Sequence, residues 1–245
     1  MNLIGLGVVG FSAILLLALS LIKRKSPVNL RSIPALSKLY RAFGLSVEDG
    51  TRLFVGLGNT SLLTPSAGAP LAGLGMLRHL AERTSLSDNP PIAASGDSAL
   101  ALLAQDTLEA GYKAAGAGEF YQPTTGRLTG LTPFSSAAGT IPILFDENVS
   151  ASILIGHFGV ESALIADAAD RENEFLLGSS DDLSAQAALF ASAPEALIGE
   201  ELFATGAYLG ATASHEASLT VQDILRWAII LILLAGAALK FLGIT

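Results

Sequence analysis

Thr51-Arg52-Leu53-Phe54-Val55-Gly56-Leu57, closed by Gly58-Asn59, is the segment on which the fold turns. It is short, almost wholly apolar and bounded by turn residues, which suits a strand buried on both faces. Downstream, Pro70 to Arg83 sets Leu71, Leu74, Leu77 and Leu80 along one side of a helix. Pro91-Ile92-Ala93-Ala94 reads as a second short strand. Asp97-Ser98 can then cap a helix in which Leu100, Leu103, Leu108 and Tyr112 recur at turn spacing up to Gly116.

The second half of the chain alternates in the same way. A helix is expected from Val160 to Arg171, a strand at Phe175-Leu176-Leu177, and helices at Leu183 to Ala193 and Glu195 to Leu209. Ala93-Ala94-Ser95-Gly96-Asp97-Ser98-Ala99-Leu100 is matched by Leu177-Gly178-Ser179-Ser180-Asp181-Asp182-Leu183: strand, small-residue turn, Asp at a helix start, then an Ala/Leu-rich helix. Leu53 to Gly58 and Ile153 to Gly159 correspond more loosely. The expected fold is therefore α/β, a mainly parallel sheet covered by helices and built from a duplicated β-α-β-α unit. Thr140 to Phe145 and Val149 to Ile155 flank Asp146-Glu147-Asn148, a hairpin signal that would add an antiparallel piece, with Pro142 confining the first strand to an edge. Glu119 to Ser136, rich in Thr, Pro and Gly, reads as a long loop or a small insertion.

Toward the amino terminus, Ser32 to Leu45 carries Ile33, Leu36, Leu39, Tyr40 and Phe43 at helical spacing, with Ser32 as cap and Gly44 as stop. This amphipathic helix suits either the membrane surface or packing on the domain. Beyond it, Asn2 to Ile22 holds no ionisable side chain, and neither does Trp227 to Leu239. About 20 helical residues cross a hydrocarbon core. The first run reaches that length, and the second does so if Lys240 snorkels to the far headgroups. A helix lying in the surface stays open for the second. A cleaved signal peptide would carry its charge ahead of the apolar stretch; here Lys23-Arg24-Lys25 follow it. The expected organisation is a transmembrane helix and basic flank (1–25), an amphipathic juxtamembrane segment (26–50), a cytoplasmic α/β domain (51–222) and a second transmembrane helix (223–245). Basic flanks stay on the cytoplasmic side, which puts both termini outside.

The 245-residue chain has no cysteine, which removes disulfides, thiolate metal sites and cysteine nucleophiles. Its net charge of −8 is uneven. Between Lys23 and Arg52 stand seven basic side chains against two acidic ones; between Thr140 and Asp223 stand fourteen acidic ones against Arg171 alone. A basic collar suits anionic headgroups, and so acidic a body makes nucleic acid an unsuitable partner.

Four residues are candidates for ligand binding. Asp97 and Asp181 each follow a strand and begin a helix, at the edge where open α/β sheets bind ligands, and could hold a cation or polar ligand across a pseudo-twofold axis. Each can equally be a plain helix cap. His157, in Gly156-His157-Phe158-Gly159, stands near Glu161, an arrangement open to a general base with its orienting partner or to an ordinary turn histidine. Gly56-Leu57-Gly58-Asn59-Thr60-Ser61 approaches a dinucleotide fingerprint, but Ser61 replaces the third Gly and Pro65 delays the helix. A Gly-rich strand exit is expected there, and no cofactor. His79 and His215 are isolated, and Asp146-Glu147-Asn148 lacks the spacing of a calcium loop, so no metal is expected.

Set between terminal spans, Gly56 to Ser61, Ala94-Ser95-Gly96-Asp97 and Gly156-His157-Phe158-Gly159 give the chain a layout that resembles an uncharacterised family of bacterial membrane proteins with a domain of unassigned role. The resemblance implies inner-membrane residence and large, symmetric homo-oligomers, and it supplies no catalytic residues. Small residues in the spans (Gly5, Gly7, Gly10, Ala235, Gly236, Ala237 and Ala238) suit helix association in lipid. The first expectation is a membrane-anchored structural protein that assembles with itself into a ring or box; the alternative is a membrane-bound enzyme or small-ligand sensor working at the strand carboxyl edge. No motif names a reaction, and the expected partners are lipid and further copies of the chain.

Overall fold

Side chains of adjacent residues on β1 (Arg52–Gly58) go to opposite faces, and both faces are dry: Phe54 and Val55 are each fully buried. Such a strand belongs in the middle of a helix-covered sheet. The computed structural model describes residues 3–23, 32–85, 87, 89–209 and 213–241, and β1 is indeed central in it. Around it run β2 (Ile92–Ser95), β3 (Gly126–Leu128), β4 (Val149–His157), β5 (Phe175–Ser180) and β6 (Glu195–Leu197). All pair in parallel, in the order β3-β2-β1-β4-β5-β6. Val55 lies opposite Ala93 on one side and Ile153 on the other.

Helices α2 (Pro34–Asp49), α3 (Gly68–Thr84), α4 (Ser98–Ala114) and α8 (Glu201–Tyr208) share one apolar layer with the sheet, through Leu39, Leu77, Leu108 and Leu202. Helices α5 (Pro133–Asp146), α6 (Ser162–Arg171) and α7 (Leu183–Ser192) form the other, through Leu144, Ile165 and Leu189. Burying a side chain such as Leu39 contributes about 1.5–3 kcal/mol. That burial holds α2 on the sheet, within a compact unit running from Ser32 to Leu209.

Several local expectations fail for physical reasons. Residues 140–145 are not a strand, and there is no hairpin among the described residues: they lie in α5. Thr132 accepts from the Ser135 N–H, Ser135 answers to the Thr132 N–H, and Pro133 takes the first turn, so a strong start signal carries the helix through. Pro142 sits inside it, one turn after Ala138, and both residues are exposed, so the missing N–H falls on the solvent side of the helix. Residues 195–209 are not one helix but β6, a turn at Gly199 and α8. The loop from Glu119 to Ser136 contains β3 and the start of α5. Ser32 does not cap α2; the cap position is Ile33, without a side-chain bond, and the helix passes Gly44 to stop at Gly50.

The second compact unit comprises the chain ends. In it α1 (Leu3–Lys23) and α9 (Ala213–Phe241) pack against each other. Among the described residues, Ala217–Phe241 is the segment long and apolar enough, by length and composition, to cross a membrane, and its apolar window is wholly exposed. The corresponding apolar stretch of α1, Gly10–Leu21, is shorter.

Candidate functional site

The strand order runs outward from β1 in one direction and from β4 in the other. The segment after β1 leads to α3 on one face, and the segment after β4 leads to α6 on the other. The carboxyl edge between these diverging exits is the place where sheets of this order bind ligands.

Two glycines bring the backbones together there. Gly58 has φ +80°, a left-handed conformation, and a Cβ on it would stand 2.2 Å from the His157 carbonyl oxygen. At Gly96 the place of a Cβ is taken by the Asn59 side chain, 1.0 Å from Oδ1. The Asn59 N–H donates to His157 O (3.0 Å), which ties the exits of β1 and β4 together. Asn59 Oδ1 is buried and has no hydrogen-bond partner. A buried acceptor left open is costly, which marks this oxygen as a candidate contact point.

His157, the last residue of β4, places Nδ1 2.7 Å from Asp181 Oδ1. The two side chains are about a third and a fifth exposed. With Nδ1–H donated to the carboxylate, a neutral imidazole has Nε2 as an acceptor, and Nε2 has no partner among the described residues. Asp181, rather than Glu161, is therefore the group that orients His157. Glu161 instead turns back on its own loop: its Oε1 accepts from the Gly159 N–H (2.7 Å), and the residue is only 3% exposed.

Asp97 caps α4, accepting from the Leu100 N–H (2.9 Å). The equivalent cap of α7 is Asp182, not Asp181: it accepts from the N–H groups of Ser184 (2.9 Å) and Ala185 (3.1 Å). Bonds from Ser184 and then Ala185 hold the Asp182 carboxyl below its ordinary range. The halves match in detail. Ser95 Oγ donates to Gly58 O (3.1 Å) and accepts from the Asp97 N–H (3.0 Å). Ser180 Oγ donates to Phe158 O (3.0 Å) and accepts from the Asp182 N–H (3.2 Å). A Ser-x-Asp spacing thus recurs at the exits of β2 and β5, but Ser179/Asp181 has it as well as Ser180/Asp182, so only the bonds themselves single out Asp182. Asp97 follows β2 and Asp181 follows β5, three strand spacings apart, or about 14 Å. That is far too long for one cation, whose ligands sit about 2–2.6 Å from it. Among the described residues no three His, Asp or Glu side chains gather as a metal site.

The segments leaving the six strands (59–67, 96–97, 129–132, 158–161, 181–182 and 198–200) contain no Lys or Arg, nor do the first turns of the helices they feed. They contain Asp97, Glu161, Asp181, Asp182 and Glu200. Several exposed apolar side chains rim the same edge, among them Leu63 (96% exposed), Leu131 (73%) and Leu183 (80%).

A doubly wound, all-parallel α/β protein with a polar constellation at its point of strand reversal is thus the class these features define. The chain belongs to the family described as a domain of unknown function (DUF6754), whose model matches residues 2–245. No curated protein matches it. No solved structure matches it either.

Proposed function

We propose that this protein is a membrane-tethered α/β domain that binds a small, non-phosphorylated ligand in the crevice between the exits of β1 and β4. The observation that carries this reading is His157, fixed by Asp181 at the point of strand reversal with Nε2 left open, on the same carboxyl edge as the unpartnered Asn59 Oδ1. Both groups accept hydrogen bonds, so the ligand presents donors. Phosphate is disfavoured on charge. Sheets of this order hold phosphate at helix amino termini, and here α4 and α7 are capped by Asp97 and Asp182, while the buried Glu161 carboxylate stands at the start of α6. With no Lys or Arg on that edge, an incoming phosphate meets only like charge.

The internal match of Ser95/Asp97 with Ser180/Asp182, on either side of the reversal, supports an origin by duplication of a β-α-β-α unit. The tether is read as two spans, α9 and the 21-residue α1, in a bacterial inner membrane, with the basic flank and the α/β domain cytoplasmic and both termini outside.

Self-assembly into a closed homo-oligomer is the second reading. It is favoured by the exposed apolar side chains of the α/β unit, Leu63, Leu131, Leu183 and Phe190, each more than 70% exposed. Thermal-shift and calorimetric screening of the full chain in lipid nanodiscs tests the ligand reading. Uncharged or cationic compounds rich in N–H and O–H groups should stabilise the wild type and lose most of that effect in His157→Ala. Binding only of nucleotides or sugar phosphates, or stabilisation indifferent to His157→Ala, would refute it.

A further inference from the structure

We propose that Glu174 is a proton-operated latch on the corner between α6 and β5, closed when its carboxyl is neutral and released when it ionises. Glu174 directly precedes β5 and is 6% exposed. It faces the apolar layer formed with α5, α6 and α7, on the same side of its chain as Leu176. Its N–H donates to Ala169 O (3.0 Å), which closes the end of α6 onto the strand. Of its two carboxyl oxygens, Oε2 accepts one hydrogen bond from Ser152 Oγ on β4, and Oε1 is buried without a partner among the described residues. A single neutral hydroxyl is too little to hold a carboxylate in an apolar layer.

Among the described residues no cation is placed to compensate it. On α6, Asp167, Asp170 and Arg171 are exposed, with Arg171 paired to Asp167. The turn contributes exposed Glu172, whose charge adds repulsion. On α5, Asp146 is exposed and Glu147 is engaged by Arg52 and Arg127. β4 offers only His157, at its far end; β5 beyond Glu174 and α7 carry no titratable side chain. Burial accordingly pushes the Glu174 carboxyl up to about 7, against a smaller opposing effect of the Ser152 bond.

The linkage has a definite sign. The folded state holds its proton up to about pH 7, whereas an opened corner releases it near 4.5. The closed state is therefore most stable at low pH and loses stability as pH rises between those values, with no further loss above. In that window the opening equilibrium grows about tenfold per pH unit. Ionisation drives the carboxylate toward water through the exposed turn at Arg171-Glu172-Asn173. The corner it frees lies on the helix whose other end follows the His157–Glu161 loop, so the latch can modulate the carboxyl-edge site without belonging to it.

Hydrogen exchange on the full chain in nanodiscs, from pH 5 to pH 8 with intrinsic rates corrected, tests the latch without any ligand. Peptides covering 165–176 should open some tens-fold more at pH 8 than at pH 5, and Glu174→Gln should abolish that rise. Ser152→Ala, which removes the one bond favouring the charged form, should move the midpoint to higher pH. An identical rise in Glu174→Gln, or an unmoved midpoint in Ser152→Ala, would overturn the proposal.

Discussion

Gly96 and His157 show how a single atom decides what the carboxyl edge can do. Because Asn59 occupies the volume of a Gly96 Cβ, Gly96→Ala must expel the amide from the strand reversal. Asn59 is the movable partner, so the expected outcome is a small loss in melting temperature and a large loss of ligand-induced stabilisation, read in one thermal-shift series. At Gly58 the obstacle is backbone, not side chain, and the residue has positive φ. Gly58→Ala should cost several kcal/mol in chemical denaturation, since strain in φ of about 1 kcal/mol adds to separation of β1 from β4. Asp181 acts through His157, and Asp181→Asn should weaken binding by freeing the ring to turn. These roles were only partly legible. Asp97, Asp181, His157 and Glu161 all stand at the carboxyl edge, but sequence proximity suggested Glu161 as the partner of His157, and only the pairing of β4 with β5 brings Asp181 to 2.7 Å. Asn59 was visible as part of a near-fingerprint, while its unpartnered oxygen is a property of packing alone.

Helix caps and strand edges carry the next scale. Asp182 caps α7 and Asp181 does not, so Asp182→Ala should cost about 1 kcal/mol of folding stability and Asp181→Ala clearly less, measured by urea denaturation at neutral pH. Because hydrogen bonding in the folded state lowers the Asp182 carboxyl, its contribution is present above the unfolded value of about 3.8 and is lost as pH falls below it. The buried strands were readable because a sheet covered on both faces demands unbroken apolar runs, as in Leu53 to Leu57. The same property misled at residues 140–145: Ile141-Pro142-Ile143-Leu144-Phe145 is apolar enough for a strand, and the deciding signal lay upstream in Thr132 and Ser135. β6 escaped notice because three residues at a sheet edge carry too little pattern to compete with a helix reading.

At the scale of the whole molecule, the apolar ends and the acidic α/β unit make separate demands. If both ends span the bilayer, alkaline carbonate should leave the protein in the membrane fraction, and removal of residues 213–245 alone should not release it. Thiols introduced at exposed positions of a chain without cysteine should label only from the cytoplasmic side when placed between 60 and 200. Mass photometry in native nanodiscs reads the oligomer directly, and closed self-assembly requires a discrete particle larger than one chain. Ligand binding at the carboxyl edge is tested most directly by hydrogen exchange on the full chain with and without the tightest-binding compound from the ligand screen. Protection should fall together on residues 58–61, 95–98, 157–161 and 180–183. Protection confined to other segments, with these four unchanged, would contradict it.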